Sequence, residues 1–365
     1  MPVPAFIARW LPRNAYAKRI GKGLNDAYEH ATSRPPVEVN ELRAVVFSDH
    51  HRGKGDGADD FRRCEGAYAA ALGWYLEQGY ELWLVGDVEE LWENRAVHVM
   101  DRYEDVLALE YQFRDRLWRF YGNHDMAWKQ ERNVREDLAR YVPGTQVREA
   151  LKLVITDEGR PLARLFLVHG HQGTIDSGNL LVVPFSRFVV RFGWGTLQRA
   201  MGFANTSPAN DAVLRGKHDR AMAIWADRHP ERIVLVAGHT HHPVFPGQLP
   251  PDRAAEAREA ERRYRDSQQS GQDLPSSRAA HELARVRDVR AEPHDPIDLE
   301  RPSYFNSGCC SFGDGDVTGL EFSDGRVRLV RWLDNNGNPA PHELAGADLR
   351  ALFGQLTGRA PTARA

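Results

Sequence analysis

Five short runs of β-branched, aromatic and aliphatic residues each end in side chains that ligate metals. RAVVFSDHH closes on Asp49 and His51, ELWLVGD on Asp87, and LWRFYGNHD on Asn123, His124 and Asp125. ARLFLVHGH closes on His169 and His171, and RIVLVAGHTHH on His239 and His241. Runs of this length and composition read as buried strands, and helical periodicity between them makes the chain an α/β fold. Phe61, Cys64, Tyr68, Ala71, Leu72 and Tyr75, for example, recur at helical spacing between the first two runs. In α/β sheets, ligand sites lie outside the carboxyl ends of strands, where residues remote in sequence converge. A single His or Gly-Asp pair carries little information because both are common in turns. Repetition at five strand ends is a different matter.

Composition narrows the function classes. With 365 residues, 42% hydrophobic and 27% charged, the chain buries a large core and is neither a disordered nor a fibrous polymer. A formal charge of -3 provides no overall positive field, so general nucleic-acid binding is not expected. Cys64, Cys309 and Cys310 are the only cysteines, too few for a secreted disulfide framework; small buried thiols in a reducing cytoplasm fit them. No run approaches the roughly 18 apolar residues of a membrane span, and the opening segment lacks the apolar centre of a secretory signal. Phe6, Ile7, Trp10 and Leu11, next to Arg9 and Arg13, fit packing onto the protein body, with peripheral contact at an anionic membrane as a second reading.

The chain divides into an N-terminal extension (1–40), a main domain (41–334) and a polar, Pro/Ala-rich C-terminal tail (335–365). Within the main domain, 172–230 reads as a helical insertion carrying Phe188, Trp194 and several arginines. Residues 247–300 read as a charged, solvated insertion poor in apolar side chains. Beyond it, strand character returns, with Ser323, Asp324 and Gly325 marking a hairpin turn.

Carboxylate, amide oxygen and imidazole together suit Mn²⁺, Fe or Zn²⁺, whereas a structural zinc site would usually draw on cysteines. Two such ions roughly 3.5–4 Å apart can share a carboxylate and a hydroxide and clamp an in-line displacement at phosphorus.

SDHH, GDVEE, GNHD, HGH and GHTHH resemble the five ordered motifs of the calcineurin-like metallophosphoesterase superfamily across about residues 41–245. The resemblance implies a four-layer αββα sandwich of two mixed sheets flanked by helices, with 172–230 as a lid-like insertion. It further implies a hydrolase that uses two divalent ions, Mn²⁺ foremost, and a hydroxide bridging them. Carried over residue by residue, Asp49, His51, Asp87 and His241 would hold one ion. Asp87, Asn123, His169 and His239 would hold the other. His124 would protonate the leaving oxygen, and Asp125 would orient it. The segment GDVEELW is also similar to a pattern of UDP-2,3-diacylglucosamine pyrophosphatases, matching Glu90 and Trp92. That subgroup commonly has Arg in place of His124.

The expected substrate is a small-molecule or lipid-linked phosphoester or pyrophosphate, with Arg52, Glu90, Phe188 and Trp194 as candidate contacts. A nucleotide phosphodiesterase, a nuclease and a non-catalytic scaffold of the same fold are the alternatives. His50 and His171 have supporting or surface roles in this reading, and His218 and His242 have no special one. Oligomeric state is left open.

Overall fold

The structure, a computed structural model, describes residues 13–174, 212–246, 301–311, 315–333 and 339–357. The chain starts with helix α1 (Arg13–His30), strands β1 (Thr32–Ser33), β2 (Val37–Glu38) and β3 (Ala44–Phe47), helix α2 (Glu65–Glu77) and strand β4 (Glu81–Val85). Next come helices α3 (Ala96–Arg102) and α4 (Glu104–Tyr111), strand β5 (Leu117–Phe120) and helix α5 (Glu131–Glu136). Strands β6 (Val147–Arg148), β7 (Ala150–Asp157) and β8 (Arg160–Val168) are followed by helix α6 (Ala212–Arg228) and strand β9 (Ile233–Ala237). Strands β10 (Tyr304–Asn306), β11 (Val317–Ser323), β12 (Arg326–Leu333) and β13 (Ala340–Asp348) precede the last helix, α7 (Leu349–Thr357).

These strands form two mixed sheets. One has the order β13-β12-β11-β3-β4-β5-β6, with β3 to β6 parallel and β11 to β13 antiparallel. The other has the order β1-β7-β8-β9-β10, with β2 also on β7; here β8, β9 and β10 run parallel. Every residue of β3 and β9 is buried, which is why these runs are continuously apolar rather than alternating. The period of two survives in the partners. Val45 and Phe47 pack with Tyr68 and Tyr75 of α2, whereas Ala44 and Val46 face Leu165 and Val234 of the other sheet. On the far side, Ile20 and Leu24 of α1 and Met222 of α6 cover Phe166 and Leu235. The result is the expected α/β/β/α layering.

Two segments join the body more closely than their sequence indicates. Within the 1–40 extension, α1 forms part of an outer layer, and β1 and β2 pair with β7. Within the 335–365 tail, β13 pairs along β12, while Leu349, Leu352, Phe353 and Leu356 of α7 enter the core between the sheets. Their i, i+3, i+4, i+7 spacing is an amphipathic helix signal, hidden by the polar composition around it. Of the 172–230 insertion, α6 is described; Phe188, Trp194 and the 247–300 segment lie outside the described residues. Asp324 and Gly325 form the β11–β12 turn with φ of 52° and 70°, as a two-residue hairpin requires. All three cysteines are free and buried. Among the described residues, no helix is long and apolar enough to cross a membrane.

Candidate metal centre

The carboxyl ends of β3, β4 and β5 lie side by side in one sheet, and those of β8 and β9 lie side by side in the other. All five predicted turns meet at one edge of the sandwich. His241 Nε2 is 3.3 Å from Asp49 Oδ1 and 2.9 Å from His51 Nε2. His51 Nε2 is 3.9 Å from both Asp49 Oδ1 and Asp87 Oδ2. Across Asp87, His169 Nε2 is 3.1 Å from the same Oδ2. Asp49, His51 and His241 thus form one donor group able to hold a cation, and Asp87, His169 and His239 form another; His51, Asp87 and His124 overlap both.

Backbone geometry is specialised here. Asp49, His51, Asp87, His239 and His241 all have positive φ, between 50° and 70°. For a non-glycine residue this conformation is uncommon, and it costs on the order of 1–3 kcal/mol. Parallel backbone hydrogen bonds hold the first two turns together: Asp49 N donates to Gly86 O (3.1 Å), His51 N to Asp87 O (3.0 Å) and Arg52 N to Val88 O (3.0 Å). Close approach accounts for the glycines that precede ligands. A Cβ on Gly122 would lie 2.1 Å from Asp87 Oδ1, and one on Gly238 would lie 2.4 Å from Asp49 Oδ2.

Among the buried polar atoms with no hydrogen-bond partner are Asn123 Oδ1, His169 Nε2 and His239 Nε2. All three belong to the second ligand set expected from the sequence. Buried polar groups are normally satisfied, so the unpartnered Asn123 Oδ1 and the gathering of His169 and His239 with Asp87 fit a cation. His169 Nδ1 is 2.9 Å from the Val85 carbonyl, a contact that holds a proton on Nδ1 and turns Nε2 toward Asp87, where a bound ion would displace the Nε2 proton. Burial alone would lower the His169 pKa, but Asp87 and Asp49 push it up to about 9; the pair of carboxylates draws positive charge to this point. His239 is held well below its ordinary value by burial and by neighbouring His218 and His169, so its ring is neutral, as ligation requires.

His124 lies at the mouth, its side chain 20% exposed. Its ring stacks on Trp92 at 4.2 Å, and Nδ1 is 2.5 Å from Glu90 Oε2. Burial disfavours its charge, yet Glu90 and Asp87 raise His124 to about 10. Glu90 in turn is lowered to about 2, with His124 and His51 outweighing its burial.

Glu90, expected at substrate, is bonded to His124, and the expected role of Asp125 is corrected. Asp125, expected to orient His124, instead accepts from Gly122 N (2.6 Å) and Val88 N (2.8 Å), clipping one turn to the next. Burial, with the charges of Asp87 and Glu89, raises Asp125 to about 7.

Arg52, also expected at substrate, points the other way. It is 0% exposed and bonded to Glu110 beneath the site, while its backbone pairs with Val88 and Glu90. His171 is buried near Tyr121 and His169, its Nδ1 unpartnered, and burial with the His169 charge lowers it to about 3.

A buried brace on α6, unmarked by any motif, supports one of the turns. Asp219 Oδ1 accepts from Thr240 Oγ1 (2.9 Å) and Tyr304 OH (2.6 Å), and Asn306 Nδ2 donates to Gly238 O (2.7 Å), so the His239–His241 turn is tied to α6 and β10. His218, the preceding residue, bridges Tyr16 OH (2.7 Å) and Gly170 O (2.8 Å). The adjacent polar pair on one buried helix face was the available signal.

Neither protein-family models nor curated proteins give a match to this chain. Among solved structures, a dimetal phosphatase from Danio rerio aligns over 83% of this chain and 99% of its own, with 11% identity and a TM-score of 0.37.

Proposed function

We propose that this chain is a metal-dependent phosphoesterase acting on a small-molecule or lipid-linked phosphoester or pyrophosphate. The observation that carries the proposal is the buried cluster of Asp87, His169 and His239, whose ligand atoms lie together, with His239 Nε2 and the nearby turn's Asn123 Oδ1 buried and without a hydrogen-bond partner. Asp49, His51, Asp87 and His241 would hold one divalent cation, and Asp87, Asn123, His169 and His239 a second. Bound there, the pair would supply Lewis-acid charge for phosphoryl oxygens and a nucleophile at neutral pH. Their oxygen and imidazole donors suit Mn²⁺, Fe or Zn²⁺.

His124 contributes the proton. Held by Glu90 and stacked on Trp92, its imidazolium faces the mouth, where it can protonate a leaving oxygen and offset charge on the phosphoryl group. Replacing His124 by alanine is expected to leave metal content unchanged and lower turnover by about 10²–10⁴-fold. Metal-replete variant with wild-type turnover would remove His124 from the reaction.

Glu90 and Trp92, which match UDP-2,3-diacylglucosamine pyrophosphatases, both serve His124: Trp92 stacks on it and donates to Asn123 O at 2.6 Å. They therefore describe the acid's setting rather than an acyl or nucleotide pocket. Three free buried thiols fit a reducing compartment. The test is elemental analysis together with hydrolysis of p-nitrophenyl phosphate, bis-p-nitrophenyl phosphate and nucleoside diphosphate conjugates after Mn²⁺ loading. About two ions per chain with turnover on one member of the panel is expected; failure to take up metal under replete conditions would sink the proposal.

A further inference from the structure

We propose that a buried ring of charge formed by Arg52, Glu110, Arg119 and Glu89 is a positioning device that sets the ligand-bearing turns for metal. This inference rests on the metal centre proposed above. All four residues are at most 1% exposed. Glu110 Oε1 accepts from Arg52 and from Tyr68 OH (3.0 Å), and Glu110 Oε2 accepts from Arg119 Nη1 (2.8 Å). Arg119 Nη2 reaches Glu89 Oε1 at 2.5 Å, and Arg52 Nη1 lies 3.9 Å from the same oxygen, so the ring is completed by an ion pair beyond hydrogen-bond distance.

Three of its members reach different parts of the centre, and Glu110 links them. Arg52 directly follows His51, and its backbone pairs with 88–90 through Arg52 N to Val88 O (3.0 Å) and Glu90 N to Arg52 O (2.9 Å). Glu89 stands between Asp87 and Glu90, and also accepts from Trp128 Nε1 (2.8 Å), just beyond the Asn123–Asp125 turn. Arg119 lies on β5, the strand that delivers Asn123. The ring therefore anchors the turns that carry His51, Asp87 and Asn123 from below, on the face opposite the ligands.

Stability does not explain why four charges occupy this place. Apolar side chains of similar volume are often as stable as a buried ion pair, or more so. Directional bonds offer what apolar packing does not, a fixed register between turns whose His51 and Asp87 sit at positive φ. A metal site needs that register, since outer supports of ligands typically change affinity by about 10–100-fold.

Arg52→Met with Glu110→Gln tests the proposal, because the pair leaves Arg119 and Glu89 balanced, and the Gln amide oxygen can accept from Arg119 while its N–H donates to the Tyr68 hydroxyl oxygen. Mn²⁺ binding by calorimetry and amide hydrogen exchange of segments 49–52 and 87–90 in the metal-free protein are the readouts. The expected result is a folded variant with Mn²⁺ affinity reduced about tenfold or more and faster exchange confined to those segments. Wild-type affinity and exchange in the folded variant would overturn the proposal. Should the double variant not fold, Arg52→Lys, which keeps the charge but loses the guanidinium fork, is judged by the same two readouts. Were the wild-type chain itself to bind no Mn²⁺, the metal centre would fail, and exchange alone would decide whether the ring sets the turns.

Discussion

Asp87→Asn is expected to abolish hydrolysis and to weaken Mn²⁺ binding at both positions, beyond the roughly 10–100-fold typical of residues that merely support ligands. Asp87 Oδ2 faces His169 Nε2 at 3.1 Å and His51 Nε2 at 3.9 Å, so one carboxylate serves both donor groups. Oδ1 is engaged by His124 N at 2.8 Å, which fixes the rotamer. Asparagine tolerates the positive φ of this position, so the substitution removes charge without forcing the turn to rearrange. Calorimetry with Mn²⁺ and rates on bis-p-nitrophenyl phosphate check the outcome. A variant that keeps two ions and its turnover would take Asp87 out of the centre.

Arg119→Met is expected to destabilise the fold by about 3–5 kcal/mol, because removing one partner strands buried charge. Arg119 is the link between two carboxylates, bonded to Glu110 at 2.8 Å and Glu89 at 2.5 Å. Arg52 alone would then face both. Urea unfolding of the metal-free protein measures the loss, and a change under about 1 kcal/mol would mean that the ring behaves like screened surface charge.

An acid branch follows from the same ring. Burial raises the Glu110 pKa, but Arg52 and Arg119 outweigh it and hold the carboxyl below its ordinary value. Its stabilisation is therefore present above about pH 4.3, the unfolded value, and is lost as pH falls through the lower folded value. In Arg119→Met that contribution should shrink, which a pH series of unfolding midpoints would show.

Much of the site could be read before the fold. Apolar runs ending in Asp, Asn or His placed each turn at a strand end, and the αββα layering then brought the turns from two sheets together. Partnerships across strands were harder to read. Asp125 is the sequence neighbour of His124, yet Glu90 reaches the ring, because β4 and β5 run parallel and bring their following turns side by side. Arg52, Glu89, Glu110 and Arg119 look like ordinary surface charges in a linear chain, and charged residues are indeed rarely buried. Clues existed all the same. Arg119 interrupts an apolar run, and Glu110 follows Val106 and Leu107 on a helix face that is otherwise buried. Strand β13 is hard to read for a simpler reason: it is an edge strand whose residues are all exposed or half-buried, so it carries almost no apolar pattern.

The positive φ shared by Asp49, His51, Asp87, His239 and His241 has a consequence for how such a centre can be altered or transplanted. The left-handed region favours Asn, Asp and His among non-glycine residues, and these are also residues that offer hard oxygen or imidazole donors. Conformation and coordination chemistry thus filter the amino-acid alphabet in the same direction at these positions. A grafted copy that preserved the donors on ordinary extended strands would aim them elsewhere. What must be inherited is the bend in the main chain, with the ligands as the residues best suited to occupy it.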